Sequence, residues 1–176
     1  MTAGTSSGTG TSSGTGLEAF NALSREDAQA RLRSCLAVPR WVDAVADGRP
    51  YADRASLRST AEAAAATLSD EELDLALAGH PRIGERPSAG HDAEHSRREQ
   101  ANVDPADEEL ADRLAAGNRA YEGRFARVFL IRAAGRSSSE ILAELDRRLT
   151  NDDATERAET VSQLREIALL RLDSVL

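Results

Sequence analysis

At the start of four helix-forming segments a serine stands three residues before an acidic residue, and this pattern constrains the fold more than any other feature of the chain. A serine just before a helix caps the first turn through its hydroxyl, and a carboxylate three residues later folds back onto the helix start. The segments between these pairs are rich in Ala, Leu, Glu and Arg and poor in β-branched runs. The pattern therefore predicts an all-α fold. The pairs are Ser24 with Asp27, Ser69 with Glu72, Ser96 with Glu99, and Ser137 with Glu140.

Proline and glycine interrupt the helical pattern at intervals and divide the chain into a single-domain bundle of about seven to eight helices of ordinary length. The last helix is predicted from about Asp153 to Leu176. The longest segment without helical periodicity, 79–95, contains all three histidines, and a loop of this size in a small domain is often functional. The predicted breaks are at Pro39, Gly48 with Pro50, Gly79 with Pro81, Pro87 with Gly90, and Gly135.

Residues 1–16 contain only Met, Thr, Ala, Gly and Ser. This composition has nothing with which to build a core, so it predicts a disordered leader. The remaining residues, 17–176, are enough for one folded domain.

The charged residues exclude several classes of function. The net charge is −8, and all 22 basic residues are arginine, which excludes Schiff-base chemistry through a lysine. An acidic chain is also a poor non-specific ligand for nucleic acid. Cys35 is the single cysteine, so no disulfide framework is expected and the cytoplasm is the simplest compartment. The chain contains neither an apolar run long enough to cross a membrane nor a secretory signal pattern, so no membrane association is expected.

His80 is the first candidate for chemistry. Pro81 disfavours the α region at His80 and fixes the next φ angle, which places the imidazole at a rigid corner where a helix ends. Such a position suits a general acid or base. The alternative is a plain helix stop with a solvated histidine.

The turn from Ser96 to Gln100 is the second candidate. Glu99 and Gln100 would project a carboxylate and an amide from the first turn of a helix towards a ligand. The alternative is that Ser96 and Glu99 form a capping box and perform no chemistry.

His91 and His95 have the i, i+4 spacing of a metal pair on a helix. The surrounding segment lacks an apolar face and the order of residues does not match a zinc-protease motif. We therefore expect loop histidines and no metal. A metal-dependent hydrolase using His80 with these two residues stays as an alternative, and it predicts stoichiometric zinc.

Arg171 falls inside the apolar arc of the last predicted helix when successive residues are placed about 100° apart. A guanidinium facing the core needs an anion or a set of acceptors. Arg171 would therefore bind a ligand, form a structural ion pair with a carboxylate, or extend its charged end to the surface.

Taken together, residues 17–176 resemble the OHCU decarboxylase family, which acts on 2-oxo-4-hydroxy-4-carboxy-5-ureidoimidazoline in uric acid degradation. One departure from the family pattern follows Phe125, where Gly-Phe-Pro-Phe is usual and this chain has Ala126-Arg127-Val128-Phe129. The matching stretches are Phe20 to Ser24, Trp41-Val42, Arg49 to Tyr51, His80 to Gly84, Ser96-x-x-Glu99-Gln100-Ala101, Asn118-x-x-Tyr121, Phe125, Arg148-Leu149-x-Asn151, Glu156-Arg157 and Leu170 to Leu172.

The resemblance implies roles for individual residues. His80 would be the catalytic acid/base, with Glu99 beside it. Arg171 would bind the polar ring or the acidic groups of the substrate. Further substrate contacts are implied for Pro81, Ser96, Gln100, Phe129 and Ile131.

The resemblance also implies an all-helical homodimer that needs no cofactor and releases CO2 to give (S)-allantoin. A competing class is a helical binding or scaffold module without catalysis. In that case His80-Pro81 is a turn, the Ser96 to Glu99 segment is a cap, and Arg171 belongs to a structural ion pair.

Overall fold

A computed structural model describes residues 15–84 and 108–176 of the chain. These two ranges contain eight helices and no strand, which confirms the all-α prediction. The helices are α1 (Thr15–Ala22), α2 (Arg25–Arg33), α3 (Pro39–Asp47), α4 (Arg54–Ala65), α5 (Asp70–Ala78), α6 (Glu108–Phe125), α7 (Ser138–Arg148) and α8 (Asp153–Ser174). Within the described ranges, no helix is both long and apolar enough to span a membrane.

Three of the four predicted serine caps lie in the described residues, and all three are confirmed. The Ser69 hydroxyl accepts the Glu72 N–H at 3.2 Å while Glu72 accepts the Ser69 N–H at 2.9 Å. Ser137 and Glu140 begin α7 in the same reciprocal way, and Ser24 caps α2. The fourth pair, Ser96 and Glu99, lies outside the described residues.

Other helix starts differ from the prediction. Pro39 was expected to break the pattern, and it instead occupies the first turn of α3, where its missing N–H costs no hydrogen bond. Asp53 caps α4 with Ser56, and Asp152 caps α8. Helix α1 begins at Thr15, within the last two residues of the leader that the sequence predicts to be disordered. Residues 1–14 lie outside the described part.

The buried side chains form two clusters. The first packs α1 to α5 against α8, and its centre is Trp41, whose indole N–H donates to the Ala61 carbonyl at 2.9 Å. Leu32, Leu36 and Val45 lie in it as their spacing predicts, and so does Cys35. The second cluster joins α6, α7 and the connection between them.

The connection after α6 runs between these two clusters. Leu130 packs in the first cluster, whereas Phe129 and Ile131 pack in the second. Alternate side chains of an extended segment point to opposite sides. The Phe129–Ile131 segment is therefore held by both cores, and its backbone cannot move without disturbing one of them.

Candidate active site

His80 lies one residue beyond the cap of α5, at the corner that Pro81 predicts. Its backbone N–H donates to the Leu77 carbonyl at 3.0 Å, and its ring Nδ1 lies 2.8 Å from the Ala76 carbonyl oxygen. A carbonyl only accepts, so Nδ1 carries the hydrogen in this contact. The neutral ring therefore has its lone pair on Nε2, the nitrogen that can take a proton from a substrate.

The corner that holds His80 is fastened to α6. The Asn118 side-chain amide donates to the Ile83 carbonyl at 3.0 Å. The Arg82 guanidinium donates to the Glu122 carboxylate at 2.8 Å, and this hydrogen bond lowers the pKa of Glu122. Gly84 has a φ of +84°, a conformation that glycine adopts without steric cost. The segment that follows the imidazole is thus anchored to α6 at two successive residues, Arg82 and Ile83.

The residue that follows α6 has an unusual backbone conformation. Ala126 has a φ of +55°, in the left-handed region that closes many helices and usually holds glycine. This is the position at which the chain departs from the glycine of the resembled family. An alanine there is strained by the proximity of its Cβ to the backbone.

We predict that Ala126→Gly raises the free energy of unfolding by about 0.5–1 kcal/mol, since the steric gain exceeds the entropy that glycine adds to the unfolded chain. Gly135→Ala is the matched reverse change. Gly135 has a φ of +83° and open space where an alanine Cβ would lie, so only backbone strain should act in Gly135→Ala, which should therefore be destabilising. Urea unfolding of both variants checks the pair, and equal stability of Ala126→Gly and wild type would contradict the prediction.

Beyond this residue, the carbonyl of Leu130 accepts a hydrogen bond from Arg148 at 2.7 Å. The Arg148 guanidinium carbon also lies 4.8 Å from the centre of the Phe129 ring. Both contacts fix the Phe129–Ile131 segment, in which the family resemblance implies substrate contacts at Phe129 and Ile131. Arg148 is at the end of α7 and only 1% of its surface is exposed.

Arg148 belongs to a buried polar cluster that the sequence reasoning missed. Glu156 accepts from Arg148 Nε at 2.9 Å and from Nη2 at 2.5 Å, and it accepts the Tyr121 hydroxyl as well. Thr160 accepts from Arg148 at 3.1 Å. Burial, together with the hydrogen bond to Glu156, raises the pKa of Tyr121 to about 12. Tyr121 therefore stays protonated as a donor.

Arg171 lies in α8 and is 2% exposed, which confirms that it faces the core. Its neighbour Leu172 belongs to the first hydrophobic cluster, together with Leu130 and with Leu77 of the helix that leads to His80. The described candidate residues His80, Pro81, Phe129, Ile131 and Arg171 are therefore carried by three elements that share one core.

Two clefts of about 240 Å³ each lie near the His80 corner. One separates the last two turns of α5 from residues 126–128. The other lies between the Arg82–Gly84 corner and α6, and Asn118 lines it. Neither cleft is lined by His80, Phe129, Ile131 or Arg171.

Five residues singled out in the sequence lie outside the described part of the chain. They are His91, His95, Ser96, Glu99 and Gln100. Across residues 15–84 and 108–176, no group of three or more His, Cys, Asp or Glu side chains is arranged to hold a metal ion.

Comparison with known proteins identifies the relatives of the chain. Residues 21–173 match the family profile of OHCU decarboxylase. A 2-oxo-4-hydroxy-4-carboxy-5-ureidoimidazoline decarboxylase from Haloferax volcanii is 27% identical over 133 residues, which are 75% of this chain and 79% of that protein. A uric acid degradation bifunctional protein from a Bacillus species is 25% identical over 136 residues, 77% of this chain and 27% of that longer protein.

Two solved structures share the fold. The crystal structure of an OHCU decarboxylase in the presence of (S)-allantoin has a TM-score of 0.68 at 22% identity, covering 81% of this chain and 94% of that one. The crystal structure of an (S)-allantoin synthase has a TM-score of 0.69 at 14% identity, covering 91% of this chain and 54% of that one.

Proposed function

The chain belongs to the OHCU decarboxylase family and is a decarboxylase of uric acid degradation, and we propose that His80 performs its proton transfers. The reaction removes CO2 from 2-oxo-4-hydroxy-4-carboxy-5-ureidoimidazoline and yields allantoin. The observation that supports the role of His80 is its fixed tautomer, with Nδ1 2.8 Å from the Ala76 carbonyl oxygen. That contact puts the lone pair of the neutral ring on Nε2, the nitrogen to which we assign the proton transfer.

The reaction needs a base, a stabiliser of negative charge and a source of one proton. The bond between the ring carbon and the carboxylate breaks, CO2 leaves, and the electron pair moves into the ring, where the nitrogen of the neighbouring C=N bond takes up one proton. His80 Nε2 takes the proton of the hydroxyl on the same carbon, so that this carbon becomes a carbonyl. A proton is then added to the neighbouring carbon that bears the ureido group. The sum consumes one proton, which replaces the carboxylate.

Arg171 and Gln100 are assigned to the charge on the substrate oxygens, and Glu99 to His80. A buried guanidinium such as Arg171 acts where water does not screen it, so its effect on developing negative charge is large. Pro81, Ser96, Phe129 and Ile131 complete the proposed substrate contacts. Protonation from one face of the ring would set the (S) configuration of the product.

The assembly and the compartment belong to the same proposal. We expect a homodimer in the cytoplasm that binds the substrate and the product, and neither nucleic acid nor membranes. We also expect the reaction to need no cofactor. Light scattering of the purified protein tests the dimer, and elemental analysis for zinc tests the alternative of a metal-dependent hydrolase.

The decarboxylase assignment predicts that the protein accelerates the formation of dextrorotatory allantoin from urate. Uricase and hydroxyisourate hydrolase generate the unstable substrate in the cuvette, and circular dichroism follows the chiral product. We expect the dichroic signal to appear faster with the protein than by spontaneous decay. A rate equal to the spontaneous decay would instead favour the helical scaffold without catalysis.

A further inference from the structure

The contact between Arg148 and the Leu130 carbonyl determines how the next peptide group is oriented. The carbonyl of one residue and the N–H of the following residue point in opposite directions across a trans peptide bond. Because the Leu130 oxygen points to Arg148, the Ile131 N–H points to the other side of the segment. Among the described residues, this N–H donates no hydrogen bond.

A buried backbone N–H without an acceptor is rare in folded proteins. Ile131 is 6% exposed and packs in the second hydrophobic cluster. The neighbouring Arg132 N–H, by contrast, donates to the Gln163 side chain at 2.9 Å. The Ile131 N–H is therefore suited to an oxygen that arrives with a ligand.

Arg148 can hold this orientation because the guanidinium is itself fixed. Glu156 accepts from two of its nitrogens and Thr160 from one of these two. Asn151 donates to Glu156 Oε2 at 2.8 Å, the oxygen that accepts no hydrogen bond from Arg148, so it does not hold the guanidinium directly. The planar guanidinium donates from Nη1 to the Leu130 carbonyl and from Nε and Nη2, on its opposite edge, to the Glu156 carboxylate. A lysine ammonium cannot reproduce this arrangement.

We propose that Arg148 is a positioning residue for the decarboxylation. It does not touch the substrate, and it orients the Leu130–Ile131 peptide so that the Ile131 N–H binds a substrate oxygen. The proposal rests on the proposed function, because the oxygen belongs to the ring or the carboxylate of that substrate. It adds to the site a residue from α7, buried behind the Phe129–Ile131 segment.

The first test compares Arg148→Lys with Asn151→Ala. Asn151→Ala removes a hydrogen bond from the same Glu156 carboxylate and leaves the bond between Arg148 and Leu130 intact. We expect Arg148→Lys to weaken the binding of (S)-allantoin about tenfold by calorimetry and to raise KM by a similar factor, with a much smaller change in kcat, since one ligand hydrogen bond is lost. Asn151→Ala should bind allantoin within about twofold of wild type.

Equal weakening in both variants would overturn the proposal, because it would indicate a general loss of structure. Unchanged affinity in Arg148→Lys would overturn it as well. The decarboxylase assignment fails differently, through a wild-type protein that does not accelerate the reaction. The Arg148 proposal fails when the wild type is active and the lysine variant binds and turns over normally.

A measurement on the wild-type protein keeps the proposal testable if Arg148→Lys does not fold. Titration of the ¹⁵N-labelled protein with (S)-allantoin should move the Ile131 amide proton downfield, as expected when an N–H gains an acceptor. The amide of Gly135, in the turn that follows, serves as the reference. An Ile131 amide that stays in place while allantoin binds would contradict the proposal.

Discussion

Replacing His80 with alanine is expected to return allantoin formation to the spontaneous rate while the far-ultraviolet helical spectrum is retained. General acid–base catalysis by one positioned group contributes about 10²–10⁴-fold. His80 is half-buried at the end of α5, so its removal should leave the packing of α5 in place. The circular dichroism assay with urate as the starting compound measures the loss.

The variant His80→Asn separates chemistry from structure. An asparagine amide can take the place of Nδ1 and keep the hydrogen bond to the Ala76 carbonyl, but it cannot take up a proton near neutral pH. We therefore expect His80→Asn to be as inactive as His80→Ala. Activity in the asparagine variant alone would assign His80 a structural role at the helix end.

The double variant H91A/H95A is the control for the metal-dependent alternative. It should keep full activity under the acid–base mechanism. Loss of activity together with loss of bound zinc would contradict that mechanism.

The sequence predicts the serine-capped helix starts and the core-facing arginine because both depend on local spacing. A serine and a carboxylate three residues apart meet within a single helical turn, as Ser69 and Glu72 do. The apolar arc of a helix likewise needs only the 100° step, and it places Arg171 correctly. The corner at His80 follows from the stereochemistry of Pro81 alone.

The polar cluster behind the Phe129–Ile131 segment could not be predicted in this way. Arg148 stands in the last turn of α7, where a basic residue commonly serves the helix dipole in solvent. Its partners Tyr121 and Glu156 come from α6 and α8, and no local pattern relates three helices. A signal was present in α8. When successive residues are placed 100° apart starting from Val161, Glu156 and Thr160 fall at about 220° and 260°, next to Arg171 at about 280° and therefore close to the apolar arc.

Breaking this cluster should strongly destabilise the fold. Glu156→Ala leaves the Arg148 guanidinium buried without its carboxylate, and removal of one partner of a buried ion pair costs about 3–5 kcal/mol. Because a domain of this size is stabilised by about 5–15 kcal/mol, this is a large share of the total. The midpoint temperature of thermal unfolding, Tm, should fall by about 6–20 °C, since each kcal/mol lowers it by about 2–4 °C.

Arg147→Gln is the matched control, because Arg147 is the neighbour of Arg148 and pairs with two carboxylates at the surface. It binds Glu144 and Glu159, and its side chain is 47% exposed. An exposed ion pair contributes about 0–1 kcal/mol, since water and salt screen the charges. Urea unfolding should therefore barely distinguish Arg147→Gln from wild type, and the small difference should shrink in high salt. If Glu156→Ala were equally mild, a compensating group or water would have to reach Arg148, and the rigidity inferred for the Leu130–Ile131 peptide would be wrong.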